Sequence, residues 1–403
     1  MLHRMMGPRA AGRAIGQPFR AVTVAGRRRL NRTGALLFAV GIAAAALAGA
    51  QERAAPSQAA EPPSRTPLEW VQAMQQAAHR VNFSGTIVYQ AGTEMRTSRI
   101  LHMFDGTNSH ERVQTLDGKP REFIRLRTQN NDEVQCLFPE SRRVVIEHRA
   151  VEEPFPGLIG ASPEAILERY ELKAGAVERV AGVECQILLL KPRDELRYGY
   201  RLCAERLTGL LLKAQTLGEK REVLEQVAFT DIRIGERIAR SRLKPSWSIA
   251  GWTIERSDYR RVDLEKAGWI VPTPEGFRRT KEVLRRMGTR DAMQVVFSDG
   301  MATMSVFIEP KAAQPAAADS AATAAAEAQP PATAPAESSV AATAAGTEEE
   351  AQLMGPTAAY SMRLGDAMVT VVGEVPPAAV RAVARSVEFR GAAGQQKNQT
   401  QGR

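Results

Sequence analysis

Between residues 83 and 148 the chain runs as short stretches of alternating apolar and polar residues, broken at close intervals by Ala91-Gly92, Asp105-Gly106 and Asp117-Gly118. β-Branched and aromatic side chains suit a pleated, half-buried surface, and turn pairs of this kind supply the positive φ that tight hairpins need. The pattern predicts strands at 83–90, 97–104, 109–115, 121–127, 133–138 and 142–148. Strands joined by such turns build an antiparallel meander. Large apolar residues take alternate positions (Phe83, Ile87, Tyr89; Val134, Cys136, Phe138), so one face of the sheet needs a cover.

The segment just before supplies one. Thr66-Pro67-Leu68-Glu69 places an N-cap threonine, a first-turn proline and a glutamate able to close a capping box. Leu68, Val71, Met74, Ala78 and Val81 then recur at helical spacing, predicting a helix over 67–81 that ends near Asn82. A second short helix starts at Ser162-Pro163-Glu164 and runs to Tyr170, and further strands are expected at 183–190, 198–203, 209–216 and 223–231. A curved antiparallel sheet partly wrapped around helices can leave an apolar cavity or fill the space as packed core, and both readings stand at this point. Candidate lining residues are Phe83, Ile87, Tyr89, Phe123 and Phe138.

The larger domain is expected over 66–236, with a connection at 237–250 that lacks a clear period and contains Pro245. A smaller α+β domain follows over 251–390. Its signs are a hairpin of 292–297 and 301–308 around Ser298-Asp299-Gly300, a strand at 368–372, and a closing helix after Pro376-Pro377. Residues 311–353 are mostly Ala, Pro, Thr, Ser and Glu, with nothing to bury, and read as a disordered insertion; the tail 391–403 reads similarly.

Charge is concentrated at the start. The formal net charge is +9, but residues 1–50 hold eight arginines and no acid, so the remainder carries +1. That balance excludes a nucleic-acid binder working through its overall charge. The basic stretch ends at Arg32, Ala35–Leu47 is apolar, and Ala48-Gly49-Ala50 is a small-x-small cleavage site. The apolar run falls short of the roughly 20 residues a membrane anchor needs. A signal peptide over 1–50, a flexible stretch at 51–65 and a periplasmic location are therefore expected.

No motif speaks for catalysis. His3, His79, His102, His110 and His148 lack paired spacing, and no nucleophile elbow, phosphate loop or dinucleotide fingerprint occurs. No catalytic residue, metal site or cofactor is expected. Cys136, Cys185 and Cys203 lie in apolar strands, where buried thiols are the expectation; of the three pairings open to one disulfide, Cys136–Cys185 is favoured.

The segment Lys191–Ala214, KPRDELRYGYRLCAERLTGLLLKA, reads as two strands joined by a turn ending in Thr208-Gly209, with Arg193, Asp194 and Arg197 clustered before the first. By pattern alone the cluster is a solvated strand start. Together with FSGTIVY (83–89), LDGKPREFIR (116–125), VAGVECQILLLKPRDELRYGYRL (180–202), TGLLLKAQTL (208–217), LEQVAFTDI (224–232), VFSDGMATMSVFIEP (296–310) and VTVVGEVP (369–376), it resembles the MucB/RseB family. Two departures stand out: Cys203 occupies a position where the family commonly has Trp, and the insertion is longer than the usual connection.

The resemblance implies a LolA/LolB-like larger domain, an unclosed antiparallel β-barrel covered by helices. It also implies a regulator that binds the periplasmic domain of a RseA/MucA-like anti-sigma factor, shields it from proteolysis, and releases it on sensing lipid, lipopolysaccharide or lipoprotein acyl chains. The alternative is a periplasmic lipid or lipoprotein carrier. Arg193, Asp194, Arg197 and Tyr200 fall in the strongest family signature and are expected to help fix the interdomain or anti-sigma interface, against a purely structural turn network. A homo-oligomer is compatible with the sequence.

Overall fold

In the computed structural model, which describes residues 64–148, 155–157, 159–256, 259–287, 290–310 and 352–391, Thr66 opens the first helix, α1 (Pro67–Arg80). Its hydroxyl accepts from the Glu69 amide and the Glu69 carboxylate accepts from the Thr66 amide, so two otherwise orphaned donors are satisfied. The buried stripe is Trp70, Val71, Met74, Ala77 and Ala78. Trp70, rather than the expected Leu68, starts it, with the Arg65 guanidinium over the indole. Each large side chain buried here contributes roughly 1.5–3 kcal/mol, far more than helix propensity alone. The expected leader at 1–50, residues 311–351 of the insertion and the tail beyond Gly391 lie outside the described residues.

The stripe packs on a twelve-stranded sheet. Its strands are β1 (Phe83–Ala91), β2 (Glu94–Phe104), β3 (Ser109–Thr115), β4 (Glu122–Arg127), β5 (Asp132–Phe138), β6 (Arg143–His148), β7 (Tyr170–Val180), β8 (Val183–Pro192), β9 (Gly199–Glu205), β10 (Leu211–Leu217), β11 (Val223–Ile234) and β12 (Thr253–Arg256). The order is β12-β6-β5-β4-β3-β2-β1-β11-β10-β9-β8-β7. Two meanders thus meet where β1 pairs antiparallel with β11, from Phe83↔Ile234 to Ala91↔Glu225, with one irregularity opposite Thr86/Ile87. The ends, β12 and β7, do not pair with each other, so the barrel is unclosed. Helices α1 and α2 (Pro163–Arg169) cover one face, where Ile166 joins Phe83, Ile100, Leu188, Leu202 and Phe229 in the main core.

Three features depart from the sequence expectations. Residues 171–180, assigned to no element, extend α2 directly into β7, which pairs with β8 across a register shift at Ala174/Val177. The segment expected as a plain connection lies against the sheet: Ile238 and Leu243 pack on Leu101 and Met103, and the Glu122 carboxylate accepts from the Ser246 amide at 2.8 Å. Thr253–Arg256, placed by sequence in the smaller domain, pairs in parallel with β6 in the larger sheet. A four-residue strand carries too little pattern to reveal its partner.

The cysteines also differ. Cys185 and Cys203 form the disulfide, not Cys136 and Cys185. Ile187 faces Cys203 and Cys185 faces Glu205, so the two cysteines are diagonal neighbours on one face of adjacent strands β8 and β9. Cys136, on β5, is buried with seven strands between it and β8.

The smaller domain holds β13 (Tyr259–Arg261), β14 (Trp269–Ile270), β15 (Arg278–Met287), β16 (Arg290–Ser298), β17 (Thr303–Pro310), β18 (Gln352–Met354), β19 (Thr357–Leu364), β20 (Ala367–Gly373), α3 (Pro377–Ser386) and β21 (Glu388–Phe389). Seven of these strands form a sheet ordered β13-β15-β16-β17-β20-β19-β18, while β14 pairs with β21. Ala379, Val380, Val383 and Ala384 of α3 lie against Tyr360, Val369 and Val371. β18 begins inside the segment expected to be disordered: the backbone of Gln352–Met354 pairs with Thr357–Ala359 around the Gly355 turn.

Candidate functional site

The signature segment sits where the two domains meet. Arg197, just before β9, is fully buried, and its Nε lies 2.8 Å from Oδ2 of Asp299 in the turn between β16 and β17. The approach is off the hydrogen-bond line, so the contact is ionic. Arg197 also contacts the Asp194 carboxylate, donates to the Glu275 carbonyl at 3.1 Å, and lies 4.8 Å from the centroid of the Phe277 ring. Asp299 is equally engaged. Its Oδ1 accepts from the amides of Met301 and Ala302, and Oδ2 accepts from the Tyr170 hydroxyl at 3.1 Å. Two buried charges with this many partners escape the penalty of an isolated one.

Backbone close approach completes the seam. The Gly160 amide donates to the Gly300 carbonyl at 2.7 Å, and Arg278 donates to the Gly160 carbonyl. Gly300 has φ +98°, and a Cβ there would stand 2.2 Å from that of Ala161. Gly276 has φ +74°, and a Cβ would meet the guanidiniums of Arg169 and Arg197 at 2.8 Å. From Ala161 the contacts reach α1, because Gln75 Nε2 donates to the Ala161 carbonyl. Further along the seam, burial and then the Glu225 carboxylate push Glu374 above the usual carboxylate range.

Of the four residues singled out as an interface, Arg197 and Tyr200 are buried, the Tyr200 ring 5.9 Å from that of Tyr170. Burial pushes both tyrosines well above their ordinary value. Arg193 is exposed, its amide on the Arg169 carbonyl, and Asp194 is half-buried, accepting from the Leu196 amide. Asp299, Tyr170, Glu275 and Phe277 were not singled out. Asp299-Gly300 carried only a turn signal, and nothing local shows which strand start the carboxylate will face.

The five candidate lining residues share one face of the larger sheet. Register makes this explicit: Gly85, Ile100, Val113, Phe123, Cys136 and Val145 are successive cross-strand partners from β1 to β6. Phe83, Ile87 and Tyr89 share the Gly85 side, and Phe138 shares the Cys136 side. They divide into two clusters, however. Phe83 and Ile87 belong to the main core under α1, whereas Phe138, with Phe123 packed against it, belongs to a separate group with Val134, Cys136 and Val145. Tyr89 donates to Glu225 at 2.7 Å, and burial followed by that carboxylate pushes its pKa up.

The same sheet also carries a polar group. Asp132 accepts from Arg125 at 2.7 Å and from Arg127 at 2.9 Å, and Arg127 contacts His79 at the end of α1. Burial pushes Asp132 up, but the two arginines outweigh it and hold the carboxyl below its ordinary value. Nearby, His102 stacks on Phe83 at 5.0 Å, with Nδ1 donating to the Val81 carbonyl. Burial pushes its pKa down to about 4, which keeps the ring neutral.

An open antiparallel half-barrel under two helices, joined through a buried ion pair to a second α+β domain, defines a two-domain protein. The chain belongs to the MucB/RseB family: residues 66–247 match the MucB/RseB N-terminal domain, and residues 263–330 and 338–388 match the MucB/RseB C-terminal domain. It is 28% identical over 332 residues to the sigma factor AlgU regulatory protein MucB of Pseudomonas aeruginosa, covering 81% of this chain and 92% of that protein. Identity to the sigma-E factor regulatory protein RseB of Haemophilus influenzae is 22%, covering 79% and 89%. The crystal structure of MucB in complex with MucA(peri) is similar at a TM-score of 0.59 and 26% identity, covering 81% of this chain and 100% of that one. Among the described residues no helix is long and apolar enough to cross a membrane, and no cluster of three or more His, Cys, Asp or Glu residues could hold a metal.

Proposed function

We propose that this chain is a periplasmic regulator that binds the periplasmic part of a MucA/RseA-like membrane anti-sigma factor, shields it from proteolysis, and lets it go on sensing lipid or lipoprotein. The observation that carries the reading is the likeness to MucB in complex with MucA(peri), which extends over the whole of that chain. The signature group acts from two depths. Arg193 and Asp194 lie near the surface and are open to a partner, while Arg197 and Tyr200 set the domain arrangement from beneath.

The route from ligand to partner runs through α1. An acyl chain entering between the sheet and α1 displaces the helix, and Gln75 carries that displacement through Ala161 to the Gly160–Gly300 contact of the seam. Each buried methylene supplies about 0.8 kcal/mol, enough to bias a two-state arrangement, provided the partner-bound state accepts the chain less well. The test is affinity capture with the mature protein from periplasmic extract. Recovery of a membrane anti-sigma factor supports the regulator; recovery of lipoproteins alone contradicts it and favours the carrier.

A further inference from the structure

Each domain places one apolar side chain against the core of the other. Leu196, in the loop before β9 of the larger domain, packs against the core of the smaller. Met301, in the turn between β16 and β17 of the smaller domain, packs against the main core of the larger, the cluster that holds Ala161 and Ile166. Both turns are fixed by a carboxylate that also contacts Arg197. Asp194 accepts from the Leu196 amide at 2.9 Å, and Asp299 accepts from the Met301 amide at 2.8 Å. Leu196 adjoins Arg197, and Met301 follows the Asp299-Gly300 pair, so the two insertions fasten the same seam.

The two side chains differ in chemistry. Leucine is inert, whereas a thioether takes an oxygen atom from a two-electron oxidant. Met301 is half-buried, so the residue is not sealed from solvent. Met74 and Met304 are fully buried, while Met95 is exposed on β2 and belongs to neither core. A sulfoxide oxygen needs a hydrogen-bond donor, and the amides of its own turn are already engaged: Gly300 donates to Ser298, and Met301 and Ala302 donate to Asp299. Against the larger core the new oxygen is an acceptor without a partner, which favours the arrangement that returns it to water.

We propose that Met301 is an oxidation site through which a hypohalous acid loosens the contact between the two domains. The thioether sulfur takes the oxygen of the oxidant. An S–O bond forms, the O–halogen bond breaks, halide departs, and the hydroxyl proton passes to water. Sulfur loses the two electrons that the halogen gains. The inference stands apart from the identity of any partner, and it adds an oxidant to the signals that reach the seam.

Limited treatment of the mature protein with hypochlorous acid, followed by peptide mass spectrometry and timed proteolysis, tests this. Met301 sulfoxide should form in the folded protein. Cleavage between the domains should then accelerate roughly tenfold, the effect of one unsatisfied buried acceptor on the open population. Methionine sulfoxide reductase should restore the original rate as the Met301 sulfoxide disappears. Met301→Leu, which conserves volume, should keep the parent rate and lose the response, whereas Met95→Leu should retain it. Thermal melts establish which variants fold, and the reductase reversal on the parent protein decides the matter even if Met301→Leu does not. Conversion of Met95 with Met301 left intact overturns the proposal, as does complete Met301 sulfoxide with unchanged cleavage. An equal acceleration in folded Met301→Leu, or one that persists after the Met301 sulfoxide is reduced, overturns it too.

Discussion

Arg197 and Asp299 meet across the two domains, Nε to Oδ2 at 2.8 Å, with neither side chain exposed. One residue stands at the start of a strand in the larger sheet and the other in a hairpin turn of the smaller. Removing one member leaves the other charge buried. Arg197→Ala or Asp299→Ala should each cost about 3–5 kcal/mol, and the double variant less than the sum. Differential scanning calorimetry checks this; strictly additive losses would show that the two side chains are energetically independent.

Gly300→Ala tests the backbone contact beside that pair. The new Cβ would overlap Ala161 and occupy a φ of +98° that L residues rarely adopt. The expected loss is about 1–3 kcal/mol or more, with faster proteolysis between the domains. An unchanged melting temperature would mean that the Gly160–Gly300 contact is not part of the stable arrangement.

The Cys185–Cys203 bridge closes a loop with a sequence separation of 18. Replacing both cysteines by serine should cost roughly 3 kcal/mol. Reductant should lower the denaturation midpoint of the parent protein and leave that of the double variant unchanged, which chemical denaturation with and without reductant measures directly.

His102 gives the pH dependence a definite sign. Its pKa falls from 6.5 to about 4 on folding, so its contribution to stability is fully present above pH 6.5 and is lost as pH falls towards 4. The loss amounts to roughly 3 kcal/mol across that window. Urea unfolding from pH 7.5 to 4.5 should show it, and His102→Gln should flatten that part of the profile.

What could be read in the sequence was whatever local pattern governs. The capping box at Thr66 and Glu69 announced α1, and the alternation through Phe83, Ile87 and Tyr89 announced a strand with one covered face. Pairings between distant segments carry no such mark. Cys185 lies beside Cys203 because β8 neighbours β9, and Thr253–Arg256 joins β6 because the chain folds back along Leu101 and Met103. For the same reason Phe83 and Phe138 could be given alternating positions but not a common face. That followed only from the register across β1 to β6. Asp299 gave no sign of its role, since a turn aspartate looks the same whether it faces water or Arg197.

In the proposed regulation, lipid and anti-sigma factor bind in opposition. Linkage requires the effect to be reciprocal, so each ligand must weaken the other by the same factor. The decisive measurement is titration of a periplasmic anti-sigma fragment into the mature protein with and without saturating dodecyl phosphate, and the reverse titration. Equal losses of affinity are expected in both directions; unchanged affinity in both would rule out the opposition and leave a shield that does not sense lipid.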